Sequence, residues 1–479
     1  MFALAAKPKA GLNDSMMRSD FVEMNPPTGV TPDNPSAEQT RFAHGSENSS
    51  ARPSTVVIVG PPWPRSGAAR VMENQIDYYR GRGFHTVFVV VPFHRVFMRS
   101  NPVWEEISEG IQELGAHNSF AAPLEEKRYN AAKCRASLRH AFRGTALDWA
   151  FAMANSVRLP KDLLQFLRGM PVALVHVNYV QTLGFALRLR KKLRGRGTRI
   201  PIILETHDVQ SDLFQERGEL NPWTRKPDPI ERTIRSEISL LRKADVLVHL
   251  SVDDFRFFQA RMSYKPHVLA MPAIDEKYVS AVNSAAPFNE TIDLLFVGQK
   301  HAPNLAAIQW FFEQVWPLLA ENRYNLKIVG PVDMLVRESL PRIFETFRSC
   351  FVGPVADLAP YYRSARCVIA PMVSGSGTSI KTIEALALGK PFVGTLKAFR
   401  GMPMERLHAA GVQAYEGPRG FADAVVNMLA DEQRASVRSR AAYECVFSIQ
   451  ANFASRDEAV RSATRPEKWP PRSRHHTTA

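Results

Sequence analysis

CVIAPMVSGSGTSIKTIEALALGKPFVGT, residues 367–395, reads as a strand, a loop, a helix and a second strand. CVIAP is a short apolar run stopped by Pro371, the pattern of a buried strand. In the loop that follows, Gly375 and Gly377 have no Cβ, so backbone there can approach a ligand closely. Thr378 and Ser379 are both good N-cap residues. The helix they begin offers unpaired N–H groups and the positive end of its dipole, which together make an anion site. Lys381 and Glu384 are three apart and share one face of that helix. An ionised Glu only accepts hydrogen bonds and can take two hydroxyls, as on a ribose. Lys supplies a point charge for phosphate. Phosphate plus sugar makes a nucleotide. The same residues also fit a surface Lys–Glu pair behind a Gly-rich strand–helix turn, which is common in α/β chains.

The alternation extends in both directions. TVVIVG (55–60) and TVFVVV (86–91) suit buried strands, with a helical stretch over 68–80 between them. A mostly helical insertion over about 97–161 interrupts the pattern. It resumes with VALVHV, a helix over 180–193, IPIILET, a helix over 229–243, DVLVHLS and HVLAMP. At IDLLFVG (292–298) it starts again. A Pro-started helix to about 319, NLKIVG, CFVGP, a short helix at LAPYYRSA, the quoted unit and a last short strand, VQAY (412–415), complete it. Strands alternating with helices require parallel sheets covered on both faces. The fold class is therefore α/β: two Rossmann-like parallel-sheet domains, residues 54–271 and 272–445, facing each other across a cleft. A helix over 446–463 follows. Residues 1–53 and 464–479 are too polar and Pro-rich to fold and are expected to be disordered tails. Ligands of open α/β sheets sit at the carboxyl ends of strands, which places them in the cleft.

Bulk properties narrow the function. The 479 residues carry a formal net charge of +14, which favours anionic partners: nucleotide phosphates, nucleic acid or an acidic lipid surface. No finger spacing or aromatic–basic RNA motif supports nucleic acid. Neither GPPWPRSG nor GQKHAPN has the GxGxxG spacing of a dinucleotide oxidoreductase. The four cysteines, Cys134, Cys350, Cys367 and Cys445, form no CxxC pair, which argues against a zinc site and for a reduced cytoplasmic chain. No apolar run reaches the roughly 18 residues of a membrane span, and the N-terminal stretch lacks the basic leader of a secretory signal.

SGSGTSIKTIEALALGKPFVGT resembles the donor-binding segment of the GT-B glycosyltransferases, in particular the large retaining group-1, family-4-type branch that builds bacterial glycans. FVGQKHAPNLAAIQWFFEQVWPLL, LKIVGP and FVGPVADLAPYYRSARCVIAP resemble the preceding parts of that branch's C-terminal domain. ETHDVQS and RKADVLVHLSVDD fit on the N-terminal side. The resemblance implies retaining sugar transfer from a nucleotide-sugar donor to a glycan or lipid-linked acceptor, without a metal or other cofactor. Glu384 would hold the donor ribose. Gly375, Ser376, Gly377, Thr378, Ser379 and Gly298 would line the donor. Lys300 and Lys381 would neutralise the departing diphosphate. His207 would sit across the cleft near the donor sugar, and Gly67 would let the first domain approach. Many members carry two glutamates separated by seven residues; here Ser376 stands at the first position and Glu384 at the second. Gln299 and Lys300 stand where an Arg–Lys pair is usual. These departures support an alternative: a catalytically weakened relative that binds a nucleotide sugar or a partner.

Other signals have plainer readings. His176 fits a hydrogen-bonded structural role. His207, Asp208 and Asp212 make a weak metal pattern. Asp253 reads as capping or preceding its helix, and Glu237 equally as an ion-pair partner or a functional carboxylate. RLRKKLRGRGTR (188–199) reads as a solvated basic helix end. Lys127, Arg128, Lys133, Arg135, Arg139 and Arg143, interleaved with Leu138 and Phe142, suit a basic amphipathic helix on an anionic membrane surface. The expected location is thus cytoplasmic, peripheral on the inner face of the membrane.

Overall fold

The computed structural model describes residues 53–63, 67–92, 103–122, 124–140, 144–193, 199–319, 321 and 323–465. Residues 1–52 and 466–479 of the expected tails, and Phe142 and Arg143, lie outside these residues.

Two parallel sheets organise the chain. The first has seven strands in the order β3-β2-β1-β4-β5-β6-β7, with β6 at Val246–His249 and β7 at His267–Leu269, and the second has five, in the order β10-β9-β8-β11-β12, with β9 at Leu326–Val329 and β10 at Phe351–Gly353. The first sheet centres on β1 (Thr55–Gly60), β4 (Val172–Asn178) and β5 (Ile202–Glu205). The second centres on β8 (Ile292–Val297) and β11 (Ala365–Ala370). Every ladder is parallel. Such strands are covered on both faces, which is why β1 reads as an unbroken apolar run and is buried throughout. Val57 and Val59 face one apolar cluster of the first domain, while Val56 and Ile58 face another. Each of these side chains contributes about 1.5–3 kcal/mol by burial. One continuous core fills the second domain, from Met271 to Phe447.

One sequence expectation is refined and one is corrected. The 97–161 segment is mostly helical among the described residues. Besides the helices Val103–Glu113, Glu126–His140 and Ala146–Ala154 it contains β3 (Asn118–Ala121), which pairs with β2 (His85–Val90) and widens the sheet by one edge strand. NSFA is short and carries no β-branched residue, so nothing in its composition announces a strand. VQAY is not a strand. It makes a single bond to the sheet, Tyr415 N–H to Gly394 O at 2.9 Å, before Gly417 opens the next helix.

The chain crosses between the domains twice. The first crossing, at Met271–Ile274, is tied from both sides. Asn74 Nδ2 donates to Ala273 O (2.8 Å), Asn452 Nδ2 to Met271 O (2.7 Å), and Tyr443 Oη to Ile274 O (2.6 Å). After the second crossing the Ile449–Thr464 helix lies on the first domain. Its Asp457 accepts from Tyr78 Oη (2.8 Å) and pairs with Arg82 (2.6 Å), and Phe453 packs edge-on to Tyr78.

Candidate active site in the interdomain cleft

The quoted segment forms β11, the glycine loop, the Ile380–Ala387 helix and β12 (Phe392–Gly394). Gly375 (φ +116°) and Gly377 (φ +64°) both occupy conformations that L side chains rarely adopt. Ser379 is the N-cap, but its hydroxyl does not cap; Thr382 Oγ1 lies 3.0 Å from it. The helix N–H groups are thus left without a capping side chain.

This loop touches the first domain. Thr378 Oγ1 donates to Leu250 O at 3.0 Å. Nearby, Val252 N–H donates to Gly401 O (2.8 Å) and Gly401 N–H to Asp253 Oδ2 (3.1 Å). Asp253 was expected to cap or precede its own helix; Ser251 caps it instead, and the Asp253 carboxylate bridges the domains. A Cβ on Gly377 would stand 2.4 Å from Asp208 Oδ1, and one on Gly67 would stand 3.2 Å from Ile380 Cγ1. The glycine loop, Gly67 and the turn after β5 therefore meet at one place.

Glu384 lies one turn into the helix and is half-buried. Tyr362 Oη donates to its Oε2 at 3.3 Å. Burial raises its pKa, against the opposing pull of Arg70, the Tyr362 hydrogen bond and Lys381. Arg70 comes from the first domain's Gly67–Gly81 helix and stacks 4.5 Å over the Tyr278 ring. Lys381 Nζ donates to Asn304 Oδ1 (2.7 Å) and lies 4.5 Å over the Phe296 ring. Burial, with Arg400 assisting, pulls its pKa down to about 7. Asn304 Nδ2 in turn donates to Gln299 O (2.8 Å), so one Asn joins Lys381 to the turn that carries Lys300. Lys300 is half-buried and makes no side-chain hydrogen bond among the described residues. Gly298 has a packing reason: a Cβ there would meet Phe296 at 2.7 Å and Val332 at 3.1 Å. Arg400 Nε donates to Ser376 O at 2.9 Å, so a cation does lie against the loop. Sequence spacing gave no sign of Arg400 or Arg70, because both arrive through tertiary contacts.

On the first domain, His207 follows β5 with φ +62° and stacks on Tyr179, which has φ +65°; the rings are 4.0 Å apart and inclined by 10°. Each such backbone costs on the order of 1–3 kcal/mol and persists when its surroundings over-determine it. Burial lowers the pKa of His207 to about 4. Asp208 is pushed up to about 6 by burial, against Arg217 and Arg400.

The remaining signals find structural partners. His176 is buried between Tyr79 Oη (2.9 Å) and Glu205 Oε2 (3.0 Å). Glu237 accepts from Gln210 N–H and Ser211 N–H (2.8 and 2.9 Å), not from a cation. Arg188 and Arg190 are partly buried, while Lys191, Lys192 and Arg199 of the same run are exposed. Arg188 bonds Asn155 O and Val157 O, and Arg190 pairs with Asp245. In the Glu126–His140 helix, Tyr129, Ala132 and Ala136 are buried while Lys127, Lys133 and Arg135 are exposed. Among the described residues no group of three or more His, Cys, Asp or Glu is placed to hold a metal ion. No described helix is long and apolar enough to cross a membrane.

A family model described as "Glycosyl transferase 4-like domain" matches residues 66–272, and one described as "Glycosyl transferases group 1" matches residues 291–431. The chain belongs to the GT-B glycosyltransferases of this group. No curated protein sequence matches it significantly. Solved structures agree on the fold. Sucrose-phosphate synthase from Thermosynechococcus elongatus is 15% identical with a TM-score of 0.56, covering 85% of this chain and 98% of its own. Anabaena HepE, solved with UDP and glucose, is 13% identical with a TM-score of 0.54, covering 85% and 100%. An E. coli trehalose-6-phosphate protein bound to UDP-2-fluoro glucose is 12% identical with a TM-score of 0.55, covering 86% and 99%. The glycosyltransferase cleft here is thus built by two domains that each match their own half of the family.

Proposed function

We propose that this glycosyltransferase moves a sugar, with retention, from a UDP-type donor to a glycan or lipid-linked acceptor in the synthesis of a bacterial surface glycan. The observation that carries the reading is Glu384. A half-buried carboxylate stands one turn behind an uncapped helix N-terminus and its glycine loop, and both lie where the domains meet. The ribose hydroxyls donate to Glu384, and the diphosphate lies on the N–H groups of Gly377, Thr378 and Ser379. Lys381, Lys300 and Arg400 supply fixed positive charge as the diphosphate leaves, so the reading calls for no metal. The anomeric C–O bond to the diphosphate breaks, and the acceptor oxygen bonds the same face. Its proton passes to the departing phosphate oxygen. The UDP-bound state of HepE supports the choice of base. The exposed lysines of the Glu126–His140 helix support a cytoplasmic enzyme working on an anionic membrane surface, which flotation with anionic vesicles at low salt tests.

A thermal-shift screen with UDP-, GDP-, ADP- and TDP-sugars tests the donor. A shift with UDP-sugars that Glu384→Ala abolishes is the expected result; no shift with any nucleotide sugar refutes the reading. Ser376 at the usual glutamate position favours a second reading, a binding protein with weakened catalysis. Binding without hydrolysis or transfer would select it.

A further inference from the structure

The side chain of Arg456 belongs to the helix that follows the second domain, yet it is buried in the first. It is 2% exposed, with Nη1 2.9 Å from Glu205 Oε2 and Nη2 3.4 Å from Oε1. Its Nε donates to Asn452 Oδ1 at 2.9 Å. Glu205 ends β5, two residues before His207, and is fully buried. Burial alone would raise its carboxyl, but Arg456 and His176 outweigh that and hold it well below the usual range. Glu205 is therefore ionised and only accepts hydrogen bonds.

That fact propagates. The Gln75 atom 2.8 Å from Glu205 Oε2 has to be its nitrogen. Gln75 Nε2 then gives its other hydrogen to Asn178 Oδ1 at 2.7 Å, while Gln75 Oε1 accepts from Asn178 Nδ2 at 2.9 Å. Val59 O, an obligate acceptor 3.3 Å from Asn178 Nδ2, fixes the same orientation of the Asn178 amide independently. Asn178 Oδ1 is thus the atom that faces His207 Nε2 at 2.8 Å. An amide oxygen cannot donate, so His207 Nε2 carries the hydrogen. In the neutral ring, Nδ1 is left bare.

We propose that Arg456 and Glu205 are positioning residues for His207: through Gln75 and Asn178 they hold its ring and fix its Nε2–H tautomer, so the C-terminal helix is part of the active-site machinery. This rests on His207 lying in a glycosyl-transfer site. A satisfied chain of this kind, in a low-dielectric interior, holds one arrangement strongly because any flip leaves a buried group unpaired. It also accounts for two adjacent stacked residues persisting with positive φ.

Long-range 1H–15N NMR of the full chain, labelled at histidine, reads the tautomer directly, with His207→Asn assigning the resonance. At neutral pH without nucleotide, His207 Nε2 is expected protonated and Nδ1 bare. A protonated Nδ1 would overturn the proposal even if UDP-sugar binding stays intact, so its failure is separate from that of the donor site. The paired variant Glu205→Gln with Arg456→Met removes both charges together. It is expected to give mixed His207 tautomers and about a 10- to 100-fold loss of kcat with little change in donor KM. An unchanged tautomer and kcat in that variant also overturns it. If that pair does not fold, Asn178→Leu removes the acceptor alone; a His207 spectrum identical to the parent's refutes the chain.

Discussion

Replacing Glu384 by Gln separates donor recognition from folding. In the free protein its carboxylate is a burden: burial raises its pKa, and the one direct hydrogen bond it receives among the described residues, from Tyr362, is long at 3.3 Å. A carboxylate whose folded pKa is raised destabilises the fold at pH above that value and does so less as pH falls through it. Removing the charge removes that cost, so the unliganded melting temperature is expected to stay or rise slightly. Donor binding moves the other way. Two ribose hydroxyls bonded to a charged acceptor are worth about 1.5–3 kcal/mol each, and losing about 3 kcal/mol in all weakens Kd about 100-fold. With donor at about 100 times the parent Kd, ligand stabilisation is about 2.7 kcal/mol in the parent and about 0.4 kcal/mol in the variant. At about 2–4 °C per kcal/mol for a domain of this size, a shift of about 5–10 °C shrinks to about 1 °C. Differential scanning fluorimetry with and without UDP-sugar measures both quantities. A variant that keeps the parent's ligand shift, or that melts well below the parent without ligand, refutes the assignment.

Lys381→Met tests the opposite charge: its ammonium has a pKa lowered to about 7 by burial, so the variant should be at least as stable as the parent. Its steady-state turnover should fall about 100-fold as diphosphate stabilisation is lost. Asp254 is buried, has an Oδ2 without a hydrogen-bond partner, and is pushed up to about 8 by burial and by Asp208. Its folded pKa is raised, so its ionisation erodes stability as pH rises from about 4 to about 8, and Asp254→Asn should flatten the upper part of the parent's urea-midpoint profile over that range. Gly377→Ala adds a Cβ 2.4 Å from Asp208 Oδ1 at φ +64°, and should raise donor KM and enlarge the radius of gyration in small-angle scattering by holding the cleft open.

The two-sheet architecture was legible because buried parallel strands are written as β-branched runs, as in TVVIVG and IDLLFVG. It failed where burial leaves no such trace: NSFA forms β3, and VQAY, with the right composition, stays outside the sheet. The proposed donor side could be named as a candidate from sequence because one contiguous segment, from Gly375 to Glu384, carries it. The opposite wall could not. Asn178, Glu205 and Arg456 meet through topology, and Arg456 lies 251 residues from its partner Glu205. Asp253 shows the same limit: its cap-like spacing was real, but the second domain offered Gly401 N–H, and the carboxylate went there.

The residues that close the cleft are also those proposed to frame the donor. Thr378, Gly377 and Ile380 of the donor segment touch Leu250, Asp208 and Gly67, and beside them Gly401 bonds Val252 and Asp253. Close approach explains the small residues here: a Cβ on Gly401 would lie 2.6 Å from that of Ser251. The three interdomain hydrogen bonds named here, at about 0.5–1.5 kcal/mol each, hold this edge, so opening at this edge is expected to cost little. The opposite edge is built differently. There the Met271–Ile274 crossing is gripped by Asn74, Asn452 and Tyr443, and the returning helix is anchored by the buried Arg456–Glu205 pair. Breaking a buried pair of that kind costs about 3–5 kcal/mol, so that edge stays shut while the glycine edge parts. The weak edge lies at the donor loop and the strong edge is the one wired to His207. An opening motion at the glycine edge would therefore expose the proposed diphosphate cradle without disturbing the ring across the cleft.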